Sequence, residues 1–261
     1  MSAISLSNSL KLQIAEMVHE GLEGHIPSSF SIVDILISVY ESFPELSNSK
    51  GNIRFVLSKG HGVAALYVVL AHFGILDKAA LKEYGQNFGR LGGHPDRHKQ
   101  KGVEANSGSL GHGFPFAVGL ALGAKIKNDK EFVVCLVGDG ECQEGTIWEA
   151  AAIAVNQSLG NLLVIVDWNG SAAQLQPVEN IVEKWRAFGF NSLVVDGHNQ
   201  EILSKVLKEV RESSNNKNIP TVVIAKTVKG KGVSFVEGHG KWHHKIPNEM
   251  ELKMIREELL S

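Results

Sequence analysis

The sequence is poor in cysteine, with two in 261 residues. Cys135 falls in an apolar, strand-like run and Cys142 in a loop-like segment, and the two do not form a Cys-x-x-Cys pair. A disulfide framework needs several paired cysteines, and a structural zinc site needs closely spaced Cys or His ligands. The sequence therefore predicts two reduced thiols and neither kind of cross-link.

Long apolar runs and excess positive charge are also missing. No apolar segment approaches the ~20 residues needed to cross a bilayer. Segment 1–20 has the spacing of an amphipathic helix instead of the continuous apolar core of a signal peptide. The formal net charge of -2 offers no basic surface for a nucleic-acid backbone. We expect a cytoplasmic protein that neither spans a membrane nor binds nucleic acid.

Short apolar runs rich in β-branched residues alternate with longer stretches of helical periodicity. The clearest runs are at 132–137, 162–167, 191–196 and 221–226. A further strand, glycine loop and helix are expected within 54–74. This alternation is typical of βαβ units around a parallel sheet buried on both faces. The polar stretch 211–220 is expected to be a loop within the domain, so the sequence predicts one α/β domain over residues 1–261, ending in an amphipathic helix.

Two polar residues stand where consecutive predicted strands end. Asp139 lies between two glycines, and Asn169 follows the next apolar run. Taken alone, each segment could simply be a turn, because both have residues that turns favour. Together they place a carboxylate and an amide at the carboxyl edge of a parallel sheet, where ligands bind, beside a helix predicted to begin near Thr146. Gly140 and that helix N-terminus suit an anion, and a carboxylate fits there if Mg²⁺ lies between the two.

The chain contains eleven histidines, several of them beside glycines. His25, His61, His94 and His112 are of this kind, which favours loops, and the side chains of His61 and His94 are not expected to be buried. An imidazole titrates near neutral pH and can donate or accept a proton, which suits chemistry on sugar hydroxyls. The alternative for each is a solvated or locally hydrogen-bonded loop histidine. No pair has the His-Glu-x-x-His spacing of a zinc site, so a second metal is not predicted.

Taken as a whole, the sequence resembles the transketolase family. The resemblance rests on "GDGECQEG" at 138–145, with an asparagine thirty positions after its aspartate in "VDWNG". Further motifs follow in order along nearly the whole chain: "GLEGHIPSSFSIVDIL", "LSKGHGVAALYVVLAHFG", "GGHPD", "NSGSLGHGFPFAVGLALG", "VDGHN" and "AKTVKGKGVSF". The resemblance implies the thiamine diphosphate-binding fold, with thiamine diphosphate and Mg²⁺ as cofactors.

The roles that residues have in the family carry over position by position. The implied metal ligands are the side chains of Asp139 and Asn169 and the backbone carbonyl of Ser171. The implied cofactor-binding residues are His61, Leu110, Gly138, Gly140, Glu141 and Asn169. The implied catalytic residues are His25, His61, His94 and His243, which line the substrate channel, and Glu144, which belongs to a carboxylate network near the subunit interface.

Three short segments depart from the family pattern. The segment "NGSA" at 169–172 has small residues where a bulky apolar residue is usual. Ser109 and His112 stand where proline and glutamine are common, and His243-His244 replaces the usual His-Gly. These departures suggest a divergent substrate or partner, or a weakened catalyst.

The resemblance covers one of the three domains of a complete transketolase, the diphosphate-binding domain. It implies the N-terminal subunit of a split enzyme that transfers a two-carbon ketol unit from a ketose or ketose phosphate to an aldehyde acceptor. The implied partner is a second subunit with the pyrimidine-binding and C-terminal domains, in a dimeric or α2β2 assembly. Two alternatives stay open: a subunit of a 2-oxoacid decarboxylase or acyloin-forming enzyme, and a regulatory subunit without turnover. The histidines favour sugar over the first, and the intact metal ligands count against the second.

Overall fold

Five parallel strands form the sheet, in the order β1-β2-β3-β5-β4. They are Ile53–Leu57 (β1), Phe132–Gly138 (β2), Leu162–Trp168 (β3), Asn191–Asp196 (β4) and Thr221–Lys226 (β5). The protein's structure is a computed structural model, which describes residues 4–48, 51–172, 180–214, 218–238 and 240–261. Because all strands run the same way, every loop that follows a strand reaches the same edge of the sheet.

Helices connect and flank the strands. They are Leu6–Gly21 (α1), Ile26–Phe30 (α2), Val33–Ser42 (α3), Val63–His72 (α4), Gly113–Ile126 (α5), Gly145–Asn156 (α6), Ile181–Ala187 (α7), Gln200–Ser214 (α8) and Glu249–Leu260 (α9). Local chemistry sets several ends: the Ser5 side chain caps α1, and Asn248 and Glu251 form a capping box at the start of α9.

Alternate residues of each strand enter different cores. On β2, Phe132 and Val134 belong to the core beneath α1 to α4, α8 and α9, whereas Val133 and Cys135 belong to the core beneath α5, α6 and α7. This alternation follows from the side-chain period of two along a strand. The result is a three-layer arrangement with a sheet between two helical layers, as the apolar runs predict.

Each predicted strand is present in the structure, which differs from the sequence predictions at three places. α6 begins at Gly145, and Ile147, Ala150, Ala151 and Ala154 are its buried residues. The prediction of burial on both faces is wrong for β4, where Val194 is 45% exposed, because this strand lies at the edge of the sheet. Residues 211–214 are the last turn of α8 and not a loop. Residues 215–217, and residues 173–179 of the segment after Asn169, lie outside the described part of the chain.

Both cysteines are buried and free. Cys135 lies in β2, and Cys142 lies in the short 3-10 turn that precedes α6. Within the described ranges, no helix is long and apolar enough to span a membrane.

Candidate active site

The carboxyl edge of the sheet contains a cavity of about 190 Å³. The residues that line it are Ser28, Lys59, His61, Leu110, Gly138, Asp139, Gly140, Glu141, Asn169, Ser171, Ala172, Lys229 and His243. They come from the segments that follow β1, β2, β3 and β5, together with α2 and the loop before α5. Every predicted metal and cofactor residue therefore lies around one cavity, with two of the predicted catalytic histidines.

Asp139 and Asn169 are brought together by the turn that follows β3. The Asp139 carboxylate accepts hydrogen bonds from the backbone N–H of Gly140 at 2.7 Å and from that of Ala172 at 3.1 Å. The Asn169 Oδ1 atom accepts one from the N–H of Ser171 at 3.0 Å. These bonds fold the turn against the end of β2, so that the carboxylate and the amide line the same cavity.

The oxygen atoms of this turn are suitable ligands for a hard cation. Mg²⁺ takes carboxylate, amide and carbonyl oxygens, usually together with phosphate oxygens of a substrate. Burial raises the pKa of Asp139, although the N–H groups of Ala172 and Gly140 act against the rise, and a cation beside the carboxylate would favour its charged form. No three His, Cys, Asp or Glu side chains converge on a metal site in the described part of the chain. A cation here would therefore be bound by carboxylate, amide and carbonyl oxygens together.

The two glycines that flank Asp139 are not required by the fold. Gly140 has an ordinary φ of -65°, and Gly138 lies in a regular strand. A Cβ atom on Gly140 would come no closer than 3.8 Å to Ala172 Cβ, and one on Gly138 no closer than 3.7 Å to Lys59 Cβ. Because neither conformation nor packing demands glycine at these positions, their use fits the close approach of a ligand such as a diphosphate to the backbone.

Two buried lysines belong to the site, and neither was predicted from the sequence. Lys59 follows β1, and Lys229, 6% exposed, follows β5. The Lys229 ammonium donates to Ser171 Oγ at 2.5 Å and to His243 Nδ1 at 3.2 Å. Burial and the nearby Lys59 lower the pKa of Lys229, while Asp139 acts to raise it. Each lysine lies within three residues of a predicted strand end, and this position could have indicated from the sequence that it belongs to the site. Lys229 brings positive charge to the cavity, as an anionic ligand requires, whereas the charge of Lys59 is balanced by Asp167.

Lys59 forms an ion pair with Asp167 at the end of β3, and the two side chains are 1% and 0% exposed. Burial raises the pKa of Asp167, but the charge of Lys59 and hydrogen bonds from Lys59, Thr227 and Ser31 lower it by more, so the net shift is downwards. Asp167 is therefore ionised at neutral pH. Removing either partner alone would leave an uncompensated buried charge, at a cost of about 3–5 kcal/mol.

His25 lies at the centre of a cluster of imidazole rings. Its ring centroid lies 5.6 Å from that of His61, 6.3 Å from His94, 5.3 Å from His243 and 4.6 Å from His244. The four predicted catalytic histidines thus come together from separate segments, although His25 and His94 do not line the cavity itself. His244, one of the departures from the family pattern, has the ring nearest to His25 within this cluster.

The expectation that the side chain is not buried holds for His94, which is exposed, and is wrong for His61, which is half-buried, as is His25. The adjacent glycines allow close packing, because a Cβ atom on Gly60 would lie 2.7 Å from the backbone of Ser107. His25 Nδ1 is buried, and it has no hydrogen-bond partner among the residues that the structure describes. A buried polar atom normally has a partner, so this nitrogen has hydrogen-bonding capacity that the described residues do not use.

The rings of His25 and His61 are neutral at pH 7. Burial lowers the pKa of His25 to about 4, with smaller contributions from His244 and His243. Burial and the charge of Lys59 lower the pKa of His61 well below the ordinary value. A neutral imidazole has one donor and one acceptor nitrogen, so it can hold a hydroxyl group or move its proton.

We expect the ligand-free protein to lose stability as the pH falls from about 6.5 towards 4. In the unfolded chain His25 binds a proton near its ordinary pKa of 6.5, whereas in the folded protein it does so only near 4, so protons favour the unfolded state between these values. The pKa values of His61 and His243 are shifted in the same direction. Thermal melts at pH 7, 6 and 5 should show a steeper fall in melting temperature for the wild type than for His25→Asn. Equal slopes would contradict this assignment.

The Glu141 side chain connects the ends of β1 and β2 to the loop before α5. One carboxylate oxygen accepts from the Ser58 hydroxyl and from the N–H of Gly111 at 2.9 Å, and the other accepts from the N–H of Gly138 at 3.1 Å. Gly111 has a φ of +81°, and a Cβ atom there would lie 2.3 Å from Thr146 Oγ1, so this position requires glycine. The Glu141 carboxylate is thus engaged by the chain, although the residue lines the cavity as predicted.

Glu144 and the start of α6 lie outside the cavity. Glu144 is exposed at the N-cap position of α6. The 3-10 turn Glu141–Gln143 separates Gly140 from the helix, and the first turn of α6 is not part of the cavity lining. The expectation that the N-terminus of α6 faces the anion is therefore corrected, because the extra turn intervenes.

The fold and the site together define an α/β domain built to bind a diphosphate. Residues 3–260 match the family described as "Transketolase, thiamine diphosphate binding domain". One of the subunits of the apulose-4-phosphate transketolase of Actinobacillus succinogenes is 38% identical over 247 residues, which are 90% of this chain and 87% of that protein. A 6-deoxy-6-sulfo-D-fructose transketolase subunit of Clostridium sp. is 34% identical over 250 residues, 92% of this chain and 90% of that protein.

Longer transketolases match the chain over part of their length. Human transketolase is 36% identical over 262 residues, which cover 96% of this chain but 41% of that protein. The crystal structure of transketolase from Campylobacter jejuni gives a TM-score of 0.86 at 31% identity, covering 97% of this chain and 42% of that one. The chain belongs to the transketolase family. It is the N-terminal, thiamine diphosphate-binding subunit of a split transketolase.

Proposed function

We propose that this chain works with a second subunit as a thiamine diphosphate- and Mg²⁺-dependent transketolase, which transfers a two-carbon ketol unit from a ketose to an aldehyde. The observation that carries the proposal is a convergence at one edge of the sheet. Asp139, Asn169 and two lysines meet there with the histidine cluster. The transketolase subunits from Actinobacillus and Clostridium are named for sugar substrates, which supports a ketose or ketose phosphate as the donor.

Asp139, Asn169 and the carbonyl of Ser171 would hold the Mg²⁺ ion. Lys229 and the open backbone at Gly138 and Gly140 would hold the diphosphate. Thiamine diphosphate, when bound, supplies the nucleophilic carbon that this chemistry requires. The contribution of the chain is to fix the diphosphate end in one orientation, with charge of both signs arranged around it.

The histidines would bind the sugar and handle its protons. His25 has a buried nitrogen without a partner in the described ranges, and its neutral ring can accept a hydrogen bond or a proton from a hydroxyl group. His243 receives a hydrogen bond from the Lys229 ammonium at Nδ1, which leaves Nε2 as the protonated nitrogen, a donor for a substrate oxygen. The exposed His94 stands at the outer side of the cluster, where a substrate would enter.

The rest of the active site would come from the second subunit, which carries the pyrimidine-binding and C-terminal domains. The relatives of similar length are named as single subunits of their enzymes, whereas human transketolase is matched over 41% of its length. We place the assembled enzyme in the cytoplasm, as a dimer or an α2β2 heterotetramer. Glu144, exposed beside the cavity, would then lie near the interface.

Ketol transfer by the assembled enzyme tests the proposed reaction. A ketose donor with an aldose acceptor should give a two-carbon transfer product, and a 2-oxoacid donor should give neither carbon dioxide nor an acyloin. Decarboxylation of the 2-oxoacid without ketol transfer would replace the proposal by the related reaction class.

His61→Ala and His94→Ala should each lower kcat by about 10² or more, as loss of a positioned proton-transfer or hydrogen-bonding group commonly does. The melting temperature of His94→Ala should stay close to that of the wild type, because the residue is exposed. The matched control is His98→Ala, which removes an exposed loop histidine four positions away. Full activity in both site variants, or an equal loss in the control, would argue against the assignment.

A further inference from the structure

Asp167 is the most thoroughly hydrogen-bonded carboxylate of the site, yet it does not line the cavity. One oxygen, Oδ1, accepts from the Thr227 hydroxyl. The other, Oδ2, accepts from Lys59, from the Ser31 hydroxyl at 2.8 Å and from the Asn169 amide at 2.9 Å. Its side chain is completely buried.

Four donors from the chain engage the Asp167 carboxylate, three of them on Oδ2. An ionised carboxylate has no proton to donate. Because the side chain is also completely buried and does not line the cavity, it does not reach a metal ion or a substrate there. Its effect on the reaction has to pass through the side chains that it holds.

The side chain that matters most is Asn169. An asparagine amide can be turned by half a rotation, which exchanges its oxygen and its nitrogen. Asp167 can only accept, so the nitrogen must face it, and the N–H of Ser171 can only donate, so Oδ1 must face Ser171. Both neighbours require the same orientation, which turns the amide oxygen to Ser171, next to Ala172, whose N–H donates to the Asp139 carboxylate.

We propose that Asp167 is a positioning residue that locks the Asn169 amide with its oxygen directed to the cation site. Without an acceptor at residue 167 only the Ser171 N–H would hold this orientation, and the N–H₂ group would replace the oxygen for part of the time. A cation cannot be bound by an N–H₂ group, so cation affinity would fall. This inference rests on the proposed function, in which Asn169 is a metal ligand.

The buried ion pair dictates how the inference is tested. Asp167 cannot be removed alone, because Lys59 would be left as an unpaired buried charge. Lys59→Met alone would in the same way leave the Asp167 carboxylate as an unpaired buried charge. Position 167 is therefore changed to a neutral residue only together with Lys59→Met, so that the loss of the lysine is common to the double variants and none of them contains an unpaired buried charge.

Two substitutions at position 167 separate the hydrogen-bond acceptor from the rest of the residue. Asp167→Leu removes the acceptor and packs with the methionine as an apolar pair. Asp167→Asn keeps an acceptor oxygen towards Asn169, because the Thr227 hydroxyl can turn to accept from the new amide. A merely structural role of Asp167 would not distinguish the metal affinities of two folded variants.

The measurement is Mn²⁺ affinity, followed by electron paramagnetic resonance on the full chain with thiamine diphosphate present, both in isolation and with its partner subunit. Lys59→Met/Asp167→Leu should bind Mn²⁺ about 10–100-fold more weakly than Lys59→Met/Asp167→Asn, the range found when an outer-shell partner of a metal ligand is lost. Should the leucine variant fail to fold, Lys59→Met/Asp167→Ala carries the same expectation.

Equal Mn²⁺ affinity in the Lys59→Met/Asp167→Asn and Lys59→Met/Asp167→Leu chains would overturn the inference. An Asn169→Ala variant distinguishes this outcome from failure of the proposed function. If Asn169→Ala weakens Mn²⁺ binding while Asp167→Leu does not, the metal site stands and the positioning role is wrong. If Asn169→Ala has no effect either, the metal site itself has been misassigned.

Discussion

Replacing Asp139 by alanine should lower the thiamine diphosphate affinity of the assembled enzyme by a factor of about 10² or more in the presence of Mg²⁺. Loss of an outer-shell partner of a metal ligand already costs about 10–100-fold in metal affinity, and Asp139 is the carboxylate of the proposed ligand set itself. Without it, Lys229 and the backbone would face the diphosphate with no cation to bridge them. Isothermal titration calorimetry with and without Mg²⁺ measures the change directly.

Asp196→Ala is the matched control for Asp139→Ala. Asp196 also stands at the carboxyl end of a strand, where its side chain accepts from the N–H of His198 at 2.9 Å, but it does not line the cavity. The control should bind thiamine diphosphate as the wild type does, with the same dependence on Mg²⁺. An unchanged affinity in Asp139→Ala would remove this residue from the cation site.

Burial pattern explains why the strands could be predicted from the sequence. Strands β2, β3 and β5 are buried on both faces, so nearly every residue is apolar and the runs stand out from the chain. Strand β4 was found as well, but its exposure was not predicted. An apolar residue such as Val194 has the same letter whether helices cover it or it lies at the edge of the sheet.

The proximity of Asp139 and Asn169 was predictable because each residue is marked by its local sequence. Asp139 and Asn169 each follow a strand, and parallel strands bring such residues to one edge. The long-range pairs of the site were not predictable in this way. Lys59 and Asp167 are 108 positions apart in sequence, and nothing in either segment shows that they form a buried ion pair.

Histidines illustrate the same limit. The glycines beside His25 and His61 correctly indicate loops, but a glycine-rich loop can lie in solvent or pack tightly under its neighbours. The loop of His61 packs tightly, because Gly60 lies against the backbone of Ser107. The contact of His244 with His25 likewise depends on tertiary structure, because the two residues lie near opposite ends of the chain.

The second large effect concerns the partner subunit. The purified chain alone should show only background ketol transfer, because we propose that the pyrimidine half of the cofactor site lies on another polypeptide. Adding that polypeptide should raise the rate from background to full turnover. An obligate interface of this kind buries about 2,000 Å² or more, so sedimentation velocity should show a stable complex of the two chains. Self-association of the isolated chain through the same surface is also expected.

The most direct test of this account mixes the purified chain, its partner subunit, thiamine diphosphate and Mg²⁺ with a ketose donor and an aldose acceptor. Transfer of a two-carbon unit is followed by mass spectrometry, with each protein omitted in turn. The account predicts product only when both chains are present, and none when the chain carries Asp139→Ala. Turnover by the single chain, or a stable complex of both chains with bound cofactor and no transfer to any aldose, would contradict it.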